Sequence, residues 1–441
     1  MRTSCRTDRV LQPGVKRREL WAWAMYDFAN SGYTTVVLTT VFSAYYVGVV
    51  AQGRAWATLS FTAALSFSYL VVMLTMPGLG ARADARAAKK RLLALSTVGC
   101  VLGTLALAGA GPGTVVVALA ALAVSNYFYC IGESLIAAFL PEIAARHALG
   151  RVSGWGWSVG YIGGMLTLGL SLLLVSRAEA GGAQAPQYVP WVMVLTAGIF
   201  AVAAIPSLAW LRERTPPAQV TRSAQVSSRS LVHYWRLARD HYPDLRTLLI
   251  CGACYHAGIA VVITLAAVYA TQVMGFEMAQ TMLMIFTVNI GAAVGAFAFG
   301  HVQDRVGHRL ALAMTLWGWV VMVLVASAAT TAGVFWAAAT LAGLCMGTSQ
   351  SAGRAMVGAL IPKGHPAEFY ALWTFAIQLA AVVGPLSYGL ITWLTGGQHR
   401  VALLCTGLFF VAGLGVLSRI DFERGRTAVA DVPATGSEPA R

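Results

Sequence analysis

Charge is what this sequence has least of. Asp, Glu, Lys and Arg make up 11% of its 441 residues, against 58% hydrophobic ones. A soluble domain carries about a quarter of its residues charged, so the shortage excludes a soluble fold. Acid is scarcer still, 17 residues against 31 basic ones. That surplus could suit nucleic acid, but its placement excludes such a partner, because the basic residues fall in alternate loops between apolar runs. Cysteine occurs seven times, mostly inside apolar runs. An odd, buried set excludes a disulfide framework. Cys251 and Cys254 form a CxxC with no second ligand pair nearby, which reads as small packing residues rather than a metal site. No G-x-x-x-x-G-K-[ST] loop occurs, so ATP is not the expected energy source, and no cofactor is expected. Residues 21–50 are too long for a signal-peptide core and show no cleavage site, so they read as a retained first span.

What the chain has is a series of apolar runs, many longer than the roughly 18 residues that mark a spanning helix. Twelve spans are expected, at 21–50, 56–79, 92–110, 114–140, 152–175, 189–211, 245–273, 278–299, 310–329, 333–361, 369–394 and 401–417. Nearly all of the 31 Lys and Arg then lie on the side of the N-terminus. Arg54, Arg177 and Arg400 lie opposite, and Arg354 lies inside span 10. This asymmetry places both termini in the cytoplasm, and the expected location is the bacterial cytoplasmic membrane, with the protein multi-pass in it. The expected organisation is a cytoplasmic tail (1–20), a six-helix bundle (21–211), a cytoplasmic connector rich in Ser and Arg (212–244), a second six-helix bundle (245–420) and a disordered tail (421–441). Within the connector, residues 231–246 read as either an interfacial helix on the inner leaflet or an ordinary linker helix.

Two loops repeat. Residues 300–309, GHVQDRVGHR, sit between spans 8 and 9, and a looser copy, GARADARAAKKR, sits at 80–91 between spans 2 and 3. The same interval separates Gly80 from Gly300 and Asp84 from Asp304, and Leu140-Pro141 is answered by Ile361-Pro362 at nearly that interval. A repeat this long implies a duplicated architecture. The spacing G-x-x-x-D-R-x-G-x-R resembles the loop 2–3 signature of the major facilitator superfamily of transporters. The second copy is complete. The first lacks the Arg after Asp84 and the inner Gly, but keeps Lys89, Lys90 and Arg91. The resemblance implies an all-α membrane protein, twelve transmembrane helices in two pseudo-symmetric six-helix bundles. It also implies a cytoplasmic gate at Gly80, Asp84, Lys89, Lys90, Gly300, Asp304, Arg305 and Arg309. The two Asp are expected to bond the N-termini of neighbouring helices and the basic groups that follow them.

A narrower resemblance runs through WAWAMYDFANSGYTTVV (21–37), LPEIA (140–144), SGWGWSVGYIGG (153–164) and QSAGRAMVGALIP (350–362). These stretches are similar to the vacuole-effluxer-like branch of the superfamily, which implies transport of a small solute, amino acids foremost, with efflux favoured. The chain departs from the branch at Tyr255-His256-Ala257-Gly258, where an acidic residue before Gly is usual. Coupling through an acid in span 7 is therefore not carried over. Span 5, with Gly154, Gly156, Gly160, Gly163 and Gly164, lacks the Gly-Pro of ion exchangers, so antiport is not inferred from it.

Ionisable side chains inside a bilayer cost a few kcal/mol each and need a reason. Four stand within spans: Asp27, Glu133, His256 and Arg354, on spans 1, 4, 7 and 10. In the resembled fold those helices line the central cavity. At 1.5 Å per residue, Asp27 lies about 9 Å in from Trp21, and Glu133 and Arg354 about 12 Å in from Pro141 and Pro362. Glu133 and Arg354 are repeat-equivalent, and the expectation is that they pair across the two halves, the pair breaking and reforming during transport. Asn30, Ser31 and Thr34 extend a polar stripe from Asp27. Asn126, Asn289, Gln350 and Gln378 add polar groups, the last three as further substrate contacts. Each acid could equally hold helices together, and His256 could donate to a carbonyl or carry a proton. The reading is a monomeric secondary transporter driven by protons, whose two halves rock about the site. The rivals are a membrane-embedded enzyme, which needs a nucleophile and base clustered near one interface, and a non-transporting sensor, which needs an added soluble domain. No such cluster is found, and the termini are short.

Overall fold

Lipid offers no hydrogen bonds to a backbone, so apolar runs of this length close their bonds internally as helices. The computed structural model describes residues 10–214, 231–362 and 364–430. Twelve of its helices are long and apolar enough to cross a membrane: spans 1–6 at Arg17–Val50, Ala57–Ala85, Lys89–Leu107, Val115–Ile143, Arg146–Ala180 and Ala185–Trp210, and spans 7–12 at Pro243–Gln272, Gln280–Val306, His308–Ala328, Ala332–Leu360, Pro366–Leu394 and His399–Leu417. Among the described residues there is no strand, only one isolated bridge between Leu11 and Ala144. Spans 7 and 11 start at Pro243 and Pro366, where a missing N–H costs nothing. Spans 8 and 9 are separated by Gly307 alone, at φ +91°, a conformation that favours glycine. Large apolar side chains such as Leu59, Leu74, Trp191, Leu386 and Trp393 point outward, as a lipid-facing surface requires.

Span 1 is not uniform. From Thr34 to Thr40 and from Tyr46 to Val50 it winds as a π-helix. Wider turns strain the regular ladder, and the threonines compensate. The hydroxyls of Thr39 and Thr40 donate to the Thr35 carbonyl at 2.8 and 2.6 Å.

Of the polar tail expected to be disordered (421–441), the first part instead forms a helix, Phe422–Ala430, and residues 431–441 lie outside the described residues. The reason lies at the start of span 7. Buried Asp244 accepts from the Asp421 N–H at 2.9 Å and from Arg424 Nε and Nη2 at 2.8 and 2.7 Å. A buried carboxylate needs such donors, and the tail supplies them. In the connector a helix runs Leu231–His241. Most of the apolar side chains that suggested an interfacial role lie outside the described residues, while Trp235 is exposed.

Candidate functional site

The two repeated loops make matching closures between the halves, on the face we call basic. At one, Gly80 of span 2 lies so close to span 11 that a Cβ would sit 2.6 Å from the Ala367 carbonyl oxygen. One turn on, Asp84 accepts from the Glu368 N–H at 3.0 Å, in the first turn of span 11. At the other, a Cβ on Gly300 of span 8 would sit 2.7 Å from the Gly150 carbonyl oxygen. Asp304 then accepts from the Gly150 and Arg151 N–H groups at 2.9 and 3.0 Å, in the first turn of span 5. Each motif therefore works in two steps. The glycine admits the opposing backbone, and the carboxylate four residues later caps the free amides of that helix. The basic groups behave differently from the expectation. Asp304 pairs with Arg151 Nε at 3.0 Å, not with Arg305, which is exposed, or Arg309, which donates to the Ser418 carbonyl at 2.8 Å. Lys89 is fully buried and bonded to Glu142, and Glu213 caps the Lys89 and Lys90 amides at 3.2 and 2.7 Å.

Deeper in, Arg354 is the junction. Its Nη1 donates to Asp27 Oδ2 at 2.8 Å. Its Nε donates to Ser153 Oγ at 3.1 Å and its Nη2 to the Ser153 carbonyl at 2.9 Å. The guanidinium carbon lies 4.7 Å from the Trp23 ring centroid and 5.3 Å from that of Trp157, within cation–π range of both. Room for this comes from Gly156, where a Cβ would be 2.4 Å from Asp27 Oδ2 and 2.7 Å from Arg354 Nη2. Span 10 is locked in register by Tyr370, whose hydroxyl donates to the Arg354 carbonyl at 2.8 Å. Spans 1 and 5 belong to one half and span 10 to the other, so a single buried cation ties the halves together.

The expected Glu133–Arg354 pair is not formed; Arg354 takes Asp27 instead. Glu133 stands near both and beside Tyr129, half-buried. The two carboxylates share a depth but not a direction, and Ser153 with Gly156 draws the guanidinium toward spans 1 and 5. Ser31 and Thr34 stay on span 1, where Thr34 donates to the Ser31 carbonyl at 3.1 Å and Ser31 packs at Gly160. Both ends of the buried Asn30 amide lack a partner among the described residues. Two more cross-half contacts form: Tyr161 with Gln350, and Gln378 Nε2 with Cys130 Sγ at 3.2 Å. Asn289 bonds its own helix at the Ile285 carbonyl, 2.9 Å, and joins no cluster among the described residues. Asn126 bonds Ser68 at 3.0 Å. His256 is buried between Tyr255 and Trp373, with ring centroids 4.6 and 5.5 Å away, and its Nε2 is unpartnered among the described residues. Sequence reasoning missed Ser153, Trp23 and Trp157, since serine and tryptophan in an apolar run carry no mark of a cation cage. Among the described residues, every hydrogen bond between the halves lies at the basic face or no deeper than these central contacts.

This architecture and this sequence have known counterparts. The family described as "Vacuole effluxer Atg22 like" matches residues 47–430. The uncharacterized MFS-type transporter YxiO of Bacillus subtilis is 24% identical over 409 residues, covering 91% of this chain and 94% of that protein. Autophagy-related protein 22 of Cryptococcus neoformans is 25% identical over 338 residues, 70% of this chain but 60% of the fungal protein. Among solved structures, the human organic anion transporter MFSD10 superposes with a TM-score of 0.70 at 15% identity, covering 92% of this chain and 100% of that one. The Escherichia coli fucose:proton symporter FucP gives 0.67 at 14%, covering 92% and 98%. At those identities the structural likeness shows the fold. With the family match across most of its length, the chain is a membrane transporter of the major facilitator superfamily and belongs to its vacuole effluxer Atg22-like family.

Proposed function

We propose that this transporter moves small carboxylate-bearing solutes, amino acids foremost, out of the cytoplasm by rocking of residues 21–211 against 245–420, with proton movement as the energy source. The observation that carries the reading is Arg354, held across the halves by an acceptor that a substrate can replace. Each terminal nitrogen of its guanidinium has a second hydrogen, and a carboxylate can accept from both in the fork geometry that suits Arg. A substrate carboxylate arriving there competes with Asp27. Once released, Asp27 is a buried carboxylate without its cation, and taking a proton relieves it. Substrate binding, proton binding and loosening of the halves then become one event. His256, buried and unpartnered at Nε2 among the described residues, is the second proton carrier we propose. The paired Asp84 and Asp304 closures would hold the cytoplasmic side shut until then.

The family description supports movement of a solute across a membrane, and the basic loops support a cytoplasmic location for both termini. Working as a monomer in the cytoplasmic membrane, the protein needs no cofactor in this scheme. The test is transport of a panel of labelled amino acids by the purified protein in proteoliposomes, with and without a pH gradient. Accumulation that depends on the gradient, and is lost in Arg354→Gln, is expected. Absence of flux for every amino acid and simple carboxylate tried would refute the reading.

A further inference from the structure

Glu133 is the carboxylate the central pair leaves over. Among the described residues no basic nitrogen lies within 4.0 Å of it, although Arg354 and Asp27 stand nearby. It is half-buried, on the same stripe of span 4 as Asn126, Tyr129 and Cys130, which face spans 2, 1 and 11 through Ser68, Tyr33 and Gln378. Two tyrosines stand beside it. Tyr129 lies one turn away and stacks on Tyr33 of span 1, with centroids 5.1 Å apart and planes 27° from parallel. Tyr69 of span 2 also stands beside the carboxylate.

A second observation points the same way. Spans 1 and 4 run antiparallel. Trp23 Nε1 donates to the Ile136 carbonyl at 2.8 Å, Tyr26 reaches Gly132, and Tyr33 bonds Ser125 at 2.8 Å. Asn30 lies between Tyr26 and Tyr33 on that face of span 1, and so at the level of Tyr129 and Cys130. It is 5% exposed, and neither end of its amide has a partner among the described residues. An amide left so in a buried setting costs free energy unless something transient satisfies it.

We propose that Glu133, Tyr129 and Asn30 form an organic-ammonium subsite. The carboxylate supplies the counter-charge, the tyrosine ring a cation-binding face, and the Asn30 carbonyl oxygen an acceptor for an N–H of the ligand. Taken with Arg354 of span 10, the inference rests on the carboxylate reading above and narrows it. The solute carries both charges, its ammonium on span 4 and its carboxylate on span 10. Each half then holds one end of the same molecule, so a ligand with both groups engages both halves at once, as neither group alone can.

The test uses three probes on one four-carbon chain: butylamine, butyrate and 2-aminobutyrate. Thermal stabilisation of the purified full-length protein in detergent is titrated with each, in wild type, Glu133→Gln and Arg354→Gln. Gln is close to Glu in shape, and Asn30→Ala provides a second variant should Glu133→Gln fold poorly. In wild type, butylamine and 2-aminobutyrate are expected to stabilise. In Glu133→Gln the concentration for half-effect should rise about ten-fold or more for both, while butyrate is unchanged. Asn30→Ala should shift butylamine in the same direction by a smaller factor. Butylamine that fails to stabilise wild type, or acts equally on wild type, Glu133→Gln and Asn30→Ala, overturns the ammonium subsite. Butyrate acting equally on wild type and Arg354→Gln sinks the carboxylate reading instead, so the two failures are distinct.

Discussion

Neutralising Asp27 is the sharpest perturbation of the central pair. The 2.8 Å bond joins two side chains that are 7% and 9% exposed, Arg354 and Asp27. Breaking a buried pair by removing one partner typically costs about 3–5 kcal/mol, because the remaining charge is stranded. Arg cannot relieve this by losing its proton. Asp27→Asn keeps the shape and one acceptor oxygen, and Ser153 with the two tryptophans still holds the guanidinium. The loss should therefore fall near the low end, about 3 kcal/mol. At about 2 °C per kcal/mol for a large chain, the unfolding midpoint should drop by roughly 6 °C. Arg354→Gln strands the acid and also gives up the Ser153 bonds and both ring contacts, so its loss should exceed that of Asp27→Asn. The double variant Asp27→Asn, Arg354→Gln has no stranded charge and should recover part of the sum, by about 1–3 kcal/mol of coupling. Tryptophan fluorescence of the four proteins in one detergent, followed through thermal unfolding, gives the cycle. Strictly additive losses would refute the pair as an energetic link between the halves.

Other consequences follow from the same geometry. Asp304→Asn removes the charge that caps span 5 and pairs with Arg151, and Asp84→Asn does the same for span 11. Each should weaken closure by about 1–2 kcal/mol, read as more labelling of central cysteines from the basic face, and unchanged labelling would count against the gate. Gly156→Ala puts a methyl 2.4 Å from Asp27 Oδ2 and should abolish transport, whereas Gly169→Ala, with nothing within 4 Å, should leave transport intact and raise stability by about 0.5–1 kcal/mol. Asp27→Asn or His256→Gln should let substrate exchange continue while net flux loses its response to a pH gradient. Wild-type pH response in both would remove them as proton carriers. Asp244→Ala should free the Phe422–Ala430 helix, seen as new protease cleavage after Asp421. An uncut tail would show that other contacts hold it.

The fold was legible because its signals are long and redundant. Twelve apolar runs, basic residues at alternate ends and two copies of a Gly-Asp motif each constrain the same architecture. The contacts at the repeated loops were legible for a related reason. A glycine followed four residues later by an aspartate encodes both a close approach and a cap, and those are the uses of Gly80–Asp84 and Gly300–Asp304. Partners were not legible. Counting residues from a span end gives depth along a helix, and by that measure Asp27 and Glu133 are equal claimants on Arg354. What decides between them is direction around the helix axis, set by Ser153, the missing side chain of Gly156 and the two indole rings. Arg309 shows the same limit. It follows Asp304 closely in sequence, yet the turn at Gly307 swings it to the end of span 12, while Arg151, from the other half, takes the carboxylate. The tail helix owes its place to Asp244, far away in sequence, so its local polarity was misleading.

The central claim is that a substrate carboxylate displaces Asp27 from Arg354. Its most direct test is a cryo-electron-microscopy map of the protein with whichever amino acid the transport panel selects. The account predicts ligand carboxylate density on the Arg354 guanidinium, with Asp27 moved beyond hydrogen-bonding distance. A ligand bound elsewhere, with the Asp27–Arg354 bond intact at its present 2.8 Å, would contradict it.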